Sequence, residues 1–182
     1  MSKTYTNAVR AAILIAMMAT IAVFPLLRTG YAHASNASST VLELSDSRTM
    51  LTFSIDEKSA IELSGGDLDL NGTMDDYEFD AIRELFEALL LDQLALSVDG
   101  ERAQRVRTAS FGIVREEGTA RAVLQAEFPP AGAGSDVDFA DRLYEGIASS
   151  GYANALTVRE GSSSVAAVLS GVHRTWDNRN ES

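Results

Sequence analysis

Leu51, Phe53 and Ile55 alternate with Thr52 and Ser54, a two-residue period that predicts a strand over Met50–Ile55 with one buried face. Val41–Leu44 predicts a strand before it. Asp56 then stands where an N-cap belongs, and Ala60, Ile61 and Leu63 face inward on one or two helical turns that Gly65-Gly66 stops. The period lengthens again over Asp75–Gln93. There Phe79, Ile82, Phe86, Leu89 and Leu90 recur at helical spacing, with Asp76, Asp80, Arg83, Glu84 and Glu87 mostly on the other side. This predicts an amphipathic helix whose apolar stripe covers a core.

From Leu94 onward the alternation is again that of strands. Leu94, Leu96 and Val98 lead to Asp99-Gly100, a hairpin turn. Arg105–Val114 and Ala120–Phe128 form a second hairpin around Glu116-Glu117-Gly118, ended by Pro129 and Pro130. Ala131–Ser135 reads as a loop and Phe139–Ile147 as a short helix. Asn154–Val158 and Ser164–Val172 form a third hairpin around Glu160-Gly161, followed by Trp176 and a polar tail over 177–182. The pattern predicts a mainly β, α+β domain over 41–176: a sandwich-like antiparallel β domain with one amphipathic helix near its start.

The first 34 residues have a different pattern. Lys3 and Arg10 precede Ala11–Leu27, an uncharged and almost wholly apolar run, and Ala32-His33-Ala34 closes it. A basic start, an apolar stretch and an A-x-A site are the parts of a secretory signal peptide, with cleavage expected after Ala34. Retained, the same run over residues 11–27 is a membrane anchor. Either way residues 35 onward stand outside the cytoplasm, periplasmic or secreted, because the positive charges stay inside. Ser35–Thr40 is small and polar and reads as a flexible leader.

Charge and composition then narrow the chemistry. Of the 15 basic residues, Lys3, Arg10 and Arg28 lie before Ala34 and none of the 26 acids does, which leaves 12 basic residues and a net charge of −14. Such a surface repels nucleic acid and anionic membrane and concentrates cations. The absence of cysteine excludes disulfides and thiolate metal sites. With only His173 beyond Ala34, imidazole clusters for zinc, copper or nickel are not expected, and no nucleophile-and-base motif surrounds it. Arg102, Arg105, Arg107, Arg115 and Arg121 are read as charge partners for the acidic surface. The chain is not expected to be an enzyme.

Residues 67–78 carry the specific signal, D-L-D-L-N-G-T-M-D-D-Y-E. Calcium is a hard cation that takes six to eight oxygens, and alternate residues of a tightly wound loop point to one centre. Asp67, Asp69, Asn71, Thr73 (through its backbone carbonyl), Asp75 and Glu78 stand at positions 1, 3, 5, 7, 9 and 12, with Gly72 at the turn. Met74 occupies position 8. Glu78, on the following helix, is expected to close the site with both carboxylate oxygens. The twelve residues resemble a calcium-binding loop of the EF-hand type, which implies Ca²⁺ as the bound ion. The flanks depart from that pattern: Gly65-Gly66 directly precedes Asp67, and the chain has no second such loop.

The order of strands, acidic D-x-D-x-N-G loop, helix and further hairpins over residues 41–172 is also similar to the extracytoplasmic N-terminal domain of hydrogenase/urease accessory (HupE/UreJ-like) membrane proteins. In that family a bundle of membrane helices follows. This chain stops at Ser182, so a transport role is not implied for it, and the alternative expectation is a soluble accessory protein related to that extracytoplasmic domain. The expected function is an exported domain whose loop binds calcium for stabilisation or for a calcium-dependent protein contact. The 75–93 helix and a β edge are the candidate contact surfaces.

Overall fold

The structure is a computed structural model that describes residues 37–181 apart from 117, 133 and 146–150. The expected signal segment lies outside the described residues. Among them are ten strands, two α-helices and a closing 3-10 turn. The strands are β1 (Ala37–Leu44), β2 (Thr49–Asp56), β3 (Leu94–Val98), β4 (Glu101–Arg102), β5 (Arg107–Glu116), β6 (Thr119–Phe128), β7 (Val137–Asp141), β8 (Ala153–Glu160), β9 (Ser163–Ser170) and β10 (Thr175–Asp177). The helices are α1 (Glu57–Ser64) and α2 (Asp76–Gln93). The domain is mainly β, with a six-stranded sheet in the order β5-β6-β2-β1-β8-β9 and a four-stranded sheet in the order β10-β7-β3-β4.

Alternation sets the buried face of the large sheet. Thr49, Leu51, Phe53 and Ile55 of β2 are buried, as are Ala122, Leu124, Ala126 and Phe128 of β6 and Leu156 and Val158 of β8. Leu94 and Leu96 of β3, Val137 and Phe139 of β7 and Trp176 of β10 join the same core cluster from the small sheet. Phe79, Phe86 and Leu90 enter it from α2, so the apolar stripe read from the sequence does face the core. Both helices start as their sequence implies. Asp56 caps α1 by accepting from the Ser59 amide at 3.0 Å. Asp75 and Glu78 form a reciprocal capping box on α2.

Four features depart from the sequence reading. The sheets are not wholly antiparallel, because β1 and β8 pair in parallel from Ala37↔Ala153 to Leu44↔Glu160. Residues 37–40, expected as flexible leader, are the first half of a central strand, with Ser38 and Thr40 buried. Phe139–Ile147 is not a helix as far as it is described. It is strand through Asp141, because Phe139 sits between β3 and β10 with its ring fully buried. Asp177 ends β10 and Asn178–Glu181 is a 3-10 turn, where a polar tail was expected.

Polar side chains hold the two sheets together at the β1–β8 end. Asp141 of β7, fully buried, accepts from the Tyr152 hydroxyl and the Asn154 amide, both at 2.6 Å, and from the Leu143 N–H at 2.9 Å. Tyr152 also meets the Ser38 hydroxyl at 2.6 Å, and Asn154 donates to Thr40 at 2.8 Å. Burial pushes the Asp141 carboxyl above its ordinary value, against the opposing pull of these hydrogen bonds and of Arg174. Burial and the Asp141 charge push the Tyr152 phenol up. Burial, with the nearby Glu62 carboxylate, pushes Tyr144 up to about 12.

Candidate metal centre

The loop between the helices is fixed before any ligand is considered. Gly65 ends α1 in the left-handed conformation, and Gly66 is buried so closely that a Cβ there would stand 2.5 Å from the Met74 Cε. A larger residue there would have to displace the methyl end of that methionine, whose own side chain is fully buried in the core. The Met74 N–H donates to the Glu57 carboxylate at 3.0 Å, and its carbonyl accepts from Arg115 at 2.5 Å. Arg115 also pairs with Asp76 at 2.8 Å. Position 8 of the loop is therefore held from α1 on one side and β5 on the other.

The acidic half of the loop is wound around its own amides. Asp67 accepts from the Asn71 and Gly72 N–H groups, both at 2.9 Å, and Asp69 accepts from the Asn71 N–H at 3.0 Å. Asn71 in turn accepts from the Thr73 N–H at 2.8 Å. Gly72 has φ 84°, the left-handed turn that its place in the loop requires.

Among the six sequence-predicted ligands, Asp67, Asp69 and Glu78 offer carboxylate oxygens within 4.8 Å of one another. Asn71 is tied to Asp69 and Thr73 within the loop, and Asp75 directs a carboxylate oxygen to the Glu78 N–H at 2.8 Å as the cap of α2. No ion pair among the described residues takes up Asp67, Asp69 or Glu78. Three converging carboxylates without a counter-charge repel one another, which a cation among them relieves. A donor set made only of oxygen suits a hard cation better than it suits zinc or copper, which favour nitrogen and sulfur.

Glu78 does something further. Although it is a carboxylate, it is only 4% exposed. Its Oε1 accepts from the Leu68 N–H at 2.7 Å and the Asp69 N–H at 3.1 Å, and its Oε2 from the Asp75 N–H at 2.9 Å. Both lone-pair directions of Oε1 are thus occupied by the loop backbone. Coordination through both oxygens requires the Leu68 or the Asp69 amide to let go. Sequence reasoning assigned Glu78 to the ion alone and missed this hold on the loop. It also missed Glu57, and it read Arg115 as a charge partner for the acidic surface without its reach to the Met74 carbonyl, because both come to the loop from separate elements.

No protein-family model matches the chain, and no curated protein matches it significantly.

Proposed function

We propose that this is an exported domain whose 67–78 loop binds calcium, and that the ion fixes the loop and the start of α2 for stability or for a protein contact. The carrying observation is the convergence of Asp67, Asp69 and Glu78 in the loop whose spacing suits Ca²⁺. Asn71, the Thr73 carbonyl and Asp75 supply the remaining oxygens once the loop's internal hydrogen bonds rearrange. The basic, apolar and A-x-A pattern of the first 34 residues supports export. The two sheets that share one core support a sandwich-like arrangement carrying the loop at one side.

A contact role is supported by what surrounds the acids. Leu68, Leu70, Tyr77 and Leu85 are exposed, Leu70 at 86% with φ 62° and Tyr77 at 80%. A leucine in left-handed backbone with its side chain in water gains nothing from the fold. Such residues beside a cation site suit a surface that a partner covers.

Calcium titration by calorimetry, with melting followed in parallel, tests the reading. Saturable binding is expected for the unaltered protein, and its loss in Asp69→Asn and Glu78→Gln. Calcium at ten times its dissociation constant should stabilise the fold by about 1.4 kcal/mol, or roughly 3–6 °C in Tm. Heat-silent titration and an unmoved Tm in millimolar calcium refute it.

A further inference from the structure

The six-stranded sheet ends in β9, whose sequence S-S-V-A-A-V-L-S contains no charge, no proline and no glycine. Its pairing with β8 runs unbroken from Glu160↔Ser163 to Ala153↔Ser170, without a bulge. Natural sheets blunt their edges with charged side chains, prolines, bulges or a covering element, and β9 has none of the first three. Along most of its length no described element covers it.

The direction of its free backbone groups follows from one end. The Ser170 N–H donates to the His173 carbonyl and the His173 N–H to the Ser170 carbonyl, both at 2.9 Å. In an antiparallel ladder a residue turns its N–H and C=O to the same neighbour, and the side alternates along the strand. Ser170 faces away from β8, so Ser164, Ala166 and Val168 also turn their amides and carbonyls to the open edge.

We propose that β9 is a self-pairing edge, which joins the β9 of a second copy of this chain in an antiparallel, two-fold arrangement centred on Ala166. A two-fold axis normal to the sheet sets Ala166 against its own symmetry mate and Ser164 against Val168 of the second copy. The three outward-facing residues of each strand then exchange about six backbone hydrogen bonds. Two copies of the acidic domain repel each other across most surfaces. The uncharged β9 is where they meet without opposing like charges along the strand. Pairing also covers Val168, 42% exposed, and lies beside Val172, 92% exposed at the strand's end. The contact is isologous, so it closes at two copies and does not propagate.

Sedimentation of the full chain, expressed in an exporting host and purified as that host delivers it, gives the first test. A concentration-dependent monomer–dimer equilibrium is expected, weakened at least about tenfold by Ala166→Lys. That change lowers the net negative charge, so general repulsion cannot explain a weaker dimer, and an unaltered melting curve shows that the fold is intact. Ser110→Lys on the opposite edge should leave the dimer unchanged.

The register has its own test, because the natural chain has no cysteine. Hydrogen-bonded antiparallel partners have Cα atoms about 5.5 Å apart, within disulfide reach. With a mild oxidant, Ala166→Cys should therefore cross-link to dimer and Ser164→Cys should not. A protein monomeric at every concentration overturns the proposal and leaves the edge to a foreign strand. A dimer unaffected by Ala166→Lys, or cross-linked through Ser164 in preference to Ala166, overturns it as well.

Discussion

The two edges of the large sheet are built in opposite ways. β5 begins with Arg107 and ends with Arg115 and Glu116, and its register shifts at a bulge between Thr108 and Ser110. α2 lies against it: Phe111 packs edge-on against Phe79 at 5.0 Å and tilted against Phe86 at 5.5 Å. Arg105 pairs with Glu87, Arg107 with Glu127 and Arg115 with Asp76. β9 has eight uncharged residues and a straight register. The β5 end is joined to the rest by an apolar clamp. The β9 end is joined through neighbouring β8 and β1 by the Asp141–Tyr152–Asn154 hydrogen-bond network. One edge carries charges, a bulge and a packed helix, and the other has none of these.

The comparison breaks most visibly at the clamp. Phe86→Ala removes a ring that is 1% exposed and should lower unfolding free energy by about 3–5 kcal/mol in urea titrations. The uncovered β5 edge should also make the variant aggregate, which Ala166→Lys in the same chain would not cure.

At the other end, Asp141→Asn leaves a buried donor without its acceptor and should cost about 2–3 kcal/mol. The pH dependence separates the two ends. The folded protein holds Asp141 above the ordinary value of 3.8, so the native state binds this proton more tightly than the unfolded chain does. The contribution is therefore complete below the ordinary value and declines as pH rises through the raised one. Unfolding free energies measured from about pH 4 upward should show the advantage of the natural protein over Asp141→Asn shrinking as pH rises. Phe86→Ala should show no such change relative to the natural protein.

Glu78→Gln, in the absence of calcium, exchanges one accepting oxygen for an NH₂ group facing loop amides. It should cost about 1–3 kcal/mol. Saturating calcium should stabilise the natural protein and not this variant. The smallest effect belongs to Arg115→Met, which removes the link from β5 to the Met74 carbonyl and Asp76. About 0.5–1.5 kcal/mol is expected, with faster amide exchange at the loop and the first turn of α2.

What the sequence reveals about these regions depends on how local the physics is. The β2 alternation, the Asp56 cap and the α2 stripe were all legible, since each is set by residues within a turn or two of one another. The parallel pairing of β1 with β8 was not, because period two assigns a face and never a neighbour. Val137, Phe139 and Asp141 alternate inward, yet the buried carboxylate disguises them as an amphipathic pattern. Phe139, Leu143 and Ile147 happen to follow helical spacing. Ser38 and Thr40 look like a flexible leader until Tyr152 and Asn154 arrive to satisfy their hydroxyls. In the loop the acids and Gly72 were readable by spacing. The occupation of Glu78 by three backbone amides was not, since nothing in the residue order distinguishes a carboxylate that waits for an ion from one that staples its own chain.

The parallel β1–β8 ladder also sets a schedule. Thr40 and its hydrogen-bond partner Asn154 are 114 residues apart. A chain made N-terminus first delivers β1 at the outset and can zip it to β2 at once. The other side of β1 stays unpaired until nearly the whole domain has emerged. Long-range parallel pairing is slow for this reason, since the intervening chain must be ordered first. The period before β8 arrives is when this protein is most exposed to mispairing.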